Sequence, residues 1–442
     1  MLVAWECEAQ RPPVAPMDPR YFRVDFITPG ARPSGLAGAF IAAAQDEISS
    51  SVNPAGMTHL NKPGVSTHQR WSHFVFEEPE GSPEYPEATK SFHTTTFEQS
   101  LASLTYPIKS FAVSLFRLVP IDSRFEFETK QFLTTRSPLT TRQVLAGLGN
   151  FPGRKVDLDL ELVDEGLAVA YAPSDRISFG IGGRLSFLRM RMTEHLFLDP
   201  EVANGNAPRQ NSAETMYSIT TLDQTEVAPS YDFGLLATLV RDRFFLGVVA
   251  HLRPKYTFNS DVYLPEYAVG TLVLPAGLLR KVPFDFSIPD SQALGFYYVT
   301  TDRLRFAFDV TRIEHSDLLD GNSPNAIADD MPDAGGIYQD PDGHPDLVAD
   351  DAYELHFGVE ILTQIPWLGI VPLRAGAFTN PGHRVHADGH NADVRRLYPQ
   401  GKDRTYFGFG IGIVQIGNFK LDLGLLASQE VNSVTGSAHV EF

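Results

Sequence analysis

From about residue 64 to its last residue the chain repeats one pattern, a stretch in which apolar and polar residues alternate, followed by a connection that is in turn very short or long and polar. Alternation of period two places successive side chains on opposite faces of a strand. Fourteen such stretches lie near 64–76, 97–107, 110–128, 155–172, 177–192, 228–240, 243–257, 284–299, 303–315, 353–363, 370–379, 404–415, 418–429 and 435–442. The ninth is the clearest: Leu304, Phe306, Phe308 and Val310 alternate with Arg303, Arg305, Ala307, Asp309 and Thr311. The tenth sets Tyr353, Leu355, Phe357 and Val359 against Glu354, His356 and Glu360, and the thirteenth sets Phe419, Leu421, Leu423 and Leu425 against Lys420, Asp422 and Gly424. In the fourth, Val156, Leu158, Leu160 and Leu162 oppose Asp157, Asp159 and Glu161, and the same reading turns the apolar set to lipid and the carboxylates to the lumen.

A soluble β-sandwich or a periplasmic β-rich binding protein alternates too, so the connections carry the choice. Turns at Pro107–Lys109, Pro173–Arg176, Arg241–Arg243, Thr301–Arg303 and Ile416–Asn418, with a slightly longer one at Gln364–Gly369, alternate with polar segments near 77–96, 129–154, 193–227, 258–283, 316–352 and 380–403. Short turns on one side and long loops on the other are the habit of transmembrane barrels, which close so that no backbone group faces lipid unpaired. The chain ends Val440-Glu441-Phe442, a terminal aromatic that suits a last barrel strand. The expected fold is all-β: a fourteen-stranded antiparallel transmembrane β-barrel in a bacterial outer membrane, long loops outside and both barrel ends on the periplasmic side.

Composition narrows the partners. The formal charge is -18, from 36 Lys and Arg against 54 Asp and Glu, with no basic run, which speaks against nucleic acid. No apolar run approaches the roughly 18 to 20 residues of a membrane-spanning helix. Cys7, the only cysteine, allows neither an intrachain disulfide nor a cysteine metal cluster. Met1–Gln10 lacks the basic and apolar regions of a signal peptide, so an export signal is expected to have been removed or to precede this sequence. Walker A, His-Glu-x-x-His and Gly-x-Ser-x-Gly motifs are absent, and no enzyme, cofactor or resident metal is expected. Gly408, Gly410 and Gly412 fall inside a strand, where they read as small lumen-facing residues that give room rather than as a nucleotide loop.

Ahead of the strands, residues 1–20 are Pro-rich, Gly30–Ala44 reads as a helix of small residues, and Pro54 forces a turn. Gly30-Ala31-Arg32, Gly35-Leu36-Ala37-Gly38-Ala39-Phe40, Asp46 and Asn53-Pro54-Ala55-Gly56 resemble the N-terminal hatch of the FadL-type long-chain fatty-acid transporters, whose plug carries an Asn-Pro-Ala signature. Pro289, Gly295-Phe296-Tyr297, Thr301-Asp302-Arg303-Leu304 and Asp309-Val310 are similar to that family's paired strands after the fourth outer loop. The resemblance implies a monomeric barrel, residues 63–442, whose hatch, residues 1–62, fills the lumen. It also implies passive uptake of hydrophobic molecules, fatty acids or hydrocarbons, by capture among outer loops, a deeper pocket and lateral exit where the third strand is kinked. Gly35, Gly38, Asn53, Pro54, Ala55 and Gly56 are the hatch motif so matched. A FadL-like barrel that docks a surface-protein secretion or attachment system is the alternative.

Other constellations carry two readings each. Pro120, within the third strand, removes a ladder hydrogen bond and marks a local opening or an ordinary bulge outside the membrane. The segment 264–283, with Leu264, Val269, Leu272, Leu274, Leu278 and Leu279, is apolar for a loop: a landing site for substrate or a short helix packed on its neighbours. Ten Asp between Asp317 and Asp351 form a solvated loop or hold calcium, and His383, His386 and His390 belong to a flexible loop or a zinc site. Lumen-facing charges, Arg303 and Arg305 foremost with Glu126, Asp309, Glu354 and Glu360, guide a carboxylate head group or hold the hatch.

Overall fold

The computed structural model describes residues 26–442 apart from 82–84, 86–87, 134–149, 200–208, 265–266, 270–271, 275–276, 320–346, 367–368, 389–394, 396–397 and 417. Cys7, His390 and most of the Asp-rich loop lie outside these residues. Among the described residues no helix is long and apolar enough to cross a membrane.

The strands are β1 (Gly64–Pro79), β2 (Thr89–Ile108), β3 (Phe111–Thr129), β4 (Gly153–Ser174), β5 (Ile177–Phe197), β6 (Met216–Val240), β7 (Phe244–Leu252), β8 (Lys255–Leu264), β9 (Gly277–Ser287), β10 (Ser291–Val299), β11 (Leu304–Ile313), β12 (Ala352–Ile365), β13 (Gly369–Asn380), β14 (Arg404–Ile416), β15 (Phe419–Ala427) and β16 (Val431–Glu441). All neighbours pair antiparallel, β16 returns to β1, and β7 bonds both β6 and β10, so fourteen strands close into a barrel. β8 and β9 are the two that leave the wall. They form a hairpin that attaches to the upper part of β6 through Thr221, Thr220 and Ile219, while the lower part of β6 pairs with β7.

That branch corrects two expected strands. The stretches 243–257 and 284–299 each straddle a break, at Arg253–Pro254 and at Ile288–Asp290. A proline has no N–H for the ladder, and Ile288 N instead donates to the Pro254 carbonyl at 3.1 Å, closing the neck of the hairpin. The apolar segment 264–283 is accordingly neither open loop nor helix. It forms the end of β8, a small hairpin of Tyr267–Val269 with Leu272–Leu274, and the start of β9.

Strand length varies around the barrel. β7, β10 and β15 have nine residues, close to the roughly 9 to 11 that cross a bilayer, whereas β4, β5 and β6 have 22, 21 and 25. The excess stands above the membrane as a tall half-wall. Lipid-facing positions of the crossing part carry large apolar side chains that are 40–60% exposed, among them Leu115, Leu167, Phe179, Leu185, Phe233, Leu355, Phe357, Phe409, Leu421 and Leu423. Their alternate neighbours face in, as in β12, where Glu354, His356 and Glu360 are buried between exposed Tyr353, Leu355 and Phe357.

In β4 the faces are opposite to expectation. Val156, Leu158, Leu160 and Leu162 are buried inside, and Asp157, Asp159 and Glu161 point outward. This half of β4 lies above the bilayer. Its outer face meets water, where Asp159 pairs with Arg191 of β5 at 3.0 Å, and its inner face is free to be apolar. Glu126, in the same tall wall, is exposed as well.

Candidate functional site

The interior has two levels. The lower is the N-terminal segment, with a one-turn helix α1 (Ala31–Gly35), a one-turn helix α2 (Ser49–Val52) and a 3-10 helix, Pro54–His59. Only five residues of the expected helix 30–44 are helical; the rest turns, because Ala37 and Gly38 both adopt positive φ, 50° and 79°. Residues from Leu36 to Met57 form one buried apolar cluster with wall residues such as Leu101, Phe116, Ala168, Leu236 and Phe245.

The residues matched to a hatch motif make close contacts within the segment and with the wall. Asn53 accepts from Ala55 N at 3.3 Å, capping the 3-10 helix, and its amide donates to the carbonyls of Ile41 at 3.0 Å and of Leu235 in β6 at 3.3 Å. A Cβ on Gly234 would lie 2.3 Å from the Asn53 side chain, and one on Gly180 equally close to Ala55 N. Gly56 rests on the Ala44 carbonyl, Gly35 meets Gly410 backbone to backbone, and Gly38 lies on the His356 ring. Further round the wall, side chains at Gly247, Gly295, Gly358, Gly376, Gly408 and Gly424 would strike backbone of residues 31–42. At these glycines the segment lies directly on the wall backbone. Gly408 and Gly410 give this room, and Gly412 faces Asp422 of β15 instead.

Polar groups complete the seating. Asp309 of β11 accepts from the backbone N–H of Phe40 and of Ile41, the latter at 2.8 Å. Arg32 pairs with Asp46 at 2.9 Å and with Glu360 of β12 at 3.2 Å, and Glu360 also receives Arg374 at 2.7 Å and Arg305 at 3.1 Å. Arg305 thus points inward onto Glu360, the carboxylate that also receives Arg32. Arg303 does not: it is exposed in the turn between β10 and β11. A second network lies above the segment, where buried Arg184 reaches Asp164 at 3.0 Å, Asp232, and the Ser51 carbonyl at 3.1 Å, with His251 on Asp232 and Arg253 beside Asp164. Buried charges of both signs must be satisfied together, since removing one partner costs about 3–5 kcal/mol.

The upper level of the interior, the chamber enclosed by the tall half-wall, is filled by a buried apolar cluster. It combines Leu158, Leu160 and Leu162 of β4, Leu188 and Met190 of β5, Phe258 of β8, Phe286 of β9 and Leu318, with Phe26, Phe92 and Phe125 at its margin. The hairpin β8–β9 completes the lining that nine-residue β7 and β10 are too short to give. Of the residues singled out as candidate capture sites, Leu264 is buried at the end of β8, while the side chains of Val269, Leu272, Leu274, Leu278 and Leu279 lie outside the described part of the structure. Arg253 sits over the Phe26 ring at the chamber floor, 5.7 Å from its centroid.

One side of this chamber has no ladder. β2 and β3 pair from Ile108↔Phe111 up to Leu101↔Leu118 and, among the described residues, no further. Above that rung the backbone of Thr89–Gln99 pairs only with β1 and that of Ile121–Thr129 only with β4, and the Lys90 side chain donates across the gap to the Glu128 carbonyl at 3.3 Å. The break coincides with Val119 and Pro120, two residues facing the single Val163 between the rungs Leu118↔Asp164 and Ile121↔Leu162. This bulge turns Phe125 and Phe127 inward and removes the N–H that would continue the ladder. Arg70, paired with Glu98, donates to the Val119 carbonyl at 3.3 Å and spans the foot of the gap. A hollow of about 30 Å³ between Ile27, Phe76, Pro120, Ile121, Ser123 and Phe125 occupies it, a volume on the scale of a water rather than of a hydrocarbon.

Among the described residues His383 and His386 do not converge, and His390 lies outside them. His383 stacks on His315 at 4.0 Å, and His386 turns away toward Asp350.

The sequence profile described as outer membrane protein transport protein (OMPP1/FadL/TodX) matches residues 28–330. Among solved structures the chain is similar to a Pseudomonas aeruginosa FadL homologue at 16% identity, with 95% of this chain and 100% of that one covered and a TM-score of 0.64. It also resembles the CymD monoaromatic hydrocarbon channel, at 13% identity, 95% and 99% coverage and a TM-score of 0.59. The Pseudomonas putida toluene transporter TodX follows at 13%, with 94% and 98% covered and a TM-score of 0.53. No curated protein matches. The closed barrel, its lipid-facing belt and the matched profile together place the chain in the bacterial outer membrane, as a member of the OMPP1/FadL/TodX family of outer-membrane transport proteins for hydrophobic compounds.

Proposed function

We propose that this barrel takes up hydrophobic molecules, long-chain fatty acids or hydrocarbons, by passive transfer: the chamber collects them, the hatch of residues 1–62 closes the way straight through, and the gap between β2 and β3 releases them sideways into the bilayer. The observation that carries the reading is the end of the β2–β3 ladder at Leu101↔Leu118, a rung whose side chains pack on the N-terminal segment and above which the apolar cluster of β4 and β5 begins. A fatty chain entering the chamber loses its contact with water, which favours it by about 0.8 kcal/mol per CH₂. That gain holds equally in the membrane, so a hydrophobe can move on without an energy source. The small hollow at Pro120 means that Phe76, Ile121 and Phe125 must shift for each molecule to pass. The related channels for monoaromatic hydrocarbons and toluene support the substrate class, and the seating of the segment by Asp309, Asn53 and the wall glycines supports a hatch that stays in place.

The test is a transfer assay with Ser123→Trp, which fills the hollow at the gap. Cells or proteoliposomes carrying this variant, correctly assembled by heat-modifiable migration, are expected to take up a radiolabelled long-chain fatty acid or alkane far more slowly than the parent. Uptake at the parent rate would refute lateral release.

A further inference from the structure

We infer that the lipid face of the wall carries an exit groove for the departing hydrophobe, an inference that rests on lateral release as proposed above. A shallow trough of about 810 Å³ runs across the outer face of β1–β6, with Val65, Leu104, Leu115, Leu167, Leu185 and Tyr231 among its lining. All six are at least two-fifths exposed. The trough begins where the gap ends: Leu101↔Leu118 is the last rung of the β2–β3 ladder, and Ala102–Leu104 with Leu115–Arg117 line the groove directly beneath it.

The level of the gap gives such a path a purpose on its β4 side. Beside it the outward residues of β4 are Glu161, Asp159 and Asp157, and those of β5 are Arg189 and Arg191, so this band of the exterior is charged. Arg117 and Glu165, directly opposite each other on β3 and β4, mark its lower edge. Below them the outward positions become Leu115, Leu167 and Leu185, where the hydrocarbon begins. A molecule leaving the gap meets charge on the β4–β5 side, while on the β2–β1 side the exposed Phe97 and Trp71 face outward. The groove supplies an apolar track from the foot of the gap past the Arg117–Glu165 level into the lipid. Its occupant is the exiting apolar molecule, and its continuity with the gap, at one shared rung, is what selects that occupant over a resident lipid chain.

Gly183 lines the trough, points outward, and has no heavy atom within 4 Å of the place a Cβ would take. Gly436 is open in the same way on the lipid face of β16, outside the trough. Gly183→Trp therefore fills the groove without displacing anything, and Gly436→Trp adds the same bulk elsewhere. With a radiolabelled long-chain alkane as probe, Gly183→Trp is expected to slow transfer several-fold while Gly436→Trp keeps the parent rate, and both retain alkane binding to the purified barrel. Equal rates in the two variants would overturn the groove and leave it as a place for resident lipid only. Ser123→Trp separates the two ideas. If it blocks transfer while Gly183→Trp does not, lateral release stands and the groove falls; if Ser123→Trp has no effect, the gap is not the route and the groove loses its source.

Discussion

Asp309 offers the sharpest way to loosen the hatch without touching it. Its carboxylate accepts the backbone N–H groups of Phe40 and Ile41, and all three residues are buried. Asp309→Ala leaves both N–H groups without an acceptor in a site closed to water, at about 1–3 kcal/mol each. Some 2–6 kcal/mol of seating is lost, and because 1.4 kcal/mol is a factor of ten, the local opening equilibrium should rise at least about 30-fold. The assay is hydrogen exchange followed by mass spectrometry on the stretch from Leu36 to Gln45 in the folded barrel, where exchange follows opening. Asp309→Asn, which keeps an acceptor oxygen, should fall between parent and Ala variant. Heat-modifiable migration should stay normal throughout, since the β10–β11 and β11–β12 ladders are backbone pairings. Unchanged exchange in Asp309→Ala would show that this carboxylate does not hold the segment.

Two further outcomes follow from the same geometry. Gly408→Val would drive a side chain into the Ser34 carbonyl and Ala37 N, 2.4 and 2.7 Å from its Cβ, so the temperature of heat-modifiable unfolding should fall by the equivalent of about 1–3 kcal/mol or more. The reversed faces of β4 are checked by cysteines in a Cys7→Ser background: Asp159→Cys should react with a membrane-impermeant maleimide on intact cells and Leu160→Cys should not, and equal labelling would return the carboxylates to the lumen.

The strands were legible because period two is set by the backbone, but the inward sign of each face depends on what lies outside it. Where the wall meets lipid, as in β11, β12 and β15, apolar residues face out, and reading Phe308, Phe357 and Leu423 as the outer set places them correctly. Above the bilayer the outside is water and the same reading inverts, as with Leu158 and Leu160. A signal was present: β4 is far longer than a crossing needs, and its carboxylates stand beside Arg189 and Arg191 of the next strand. The branch at β6 left a mark as well, in Pro254 and Pro289 at its neck. The contacts of the hatch were legible only on the hatch side. Asn53-Pro54-Ala55-Gly56 has a recognisable pattern, whereas Gly234 or Gly376 alone in a strand fits a bulge, a bend or a close approach equally well. Asp309 was legible as an inward charge, yet its partners are backbone groups that no side-chain pattern announces.

The most direct measurement is a crystal structure of the barrel soaked with 1-bromododecane, read by the anomalous signal of bromine. The account predicts density inside the half-wall, among Leu158, Met190, Phe258 and Phe286 or at the Pro120 gap, with the N-terminal segment still seated on Asp309 and Asn53. Bromine found only along the outer lipid belt, with none in the chamber, would contradict it.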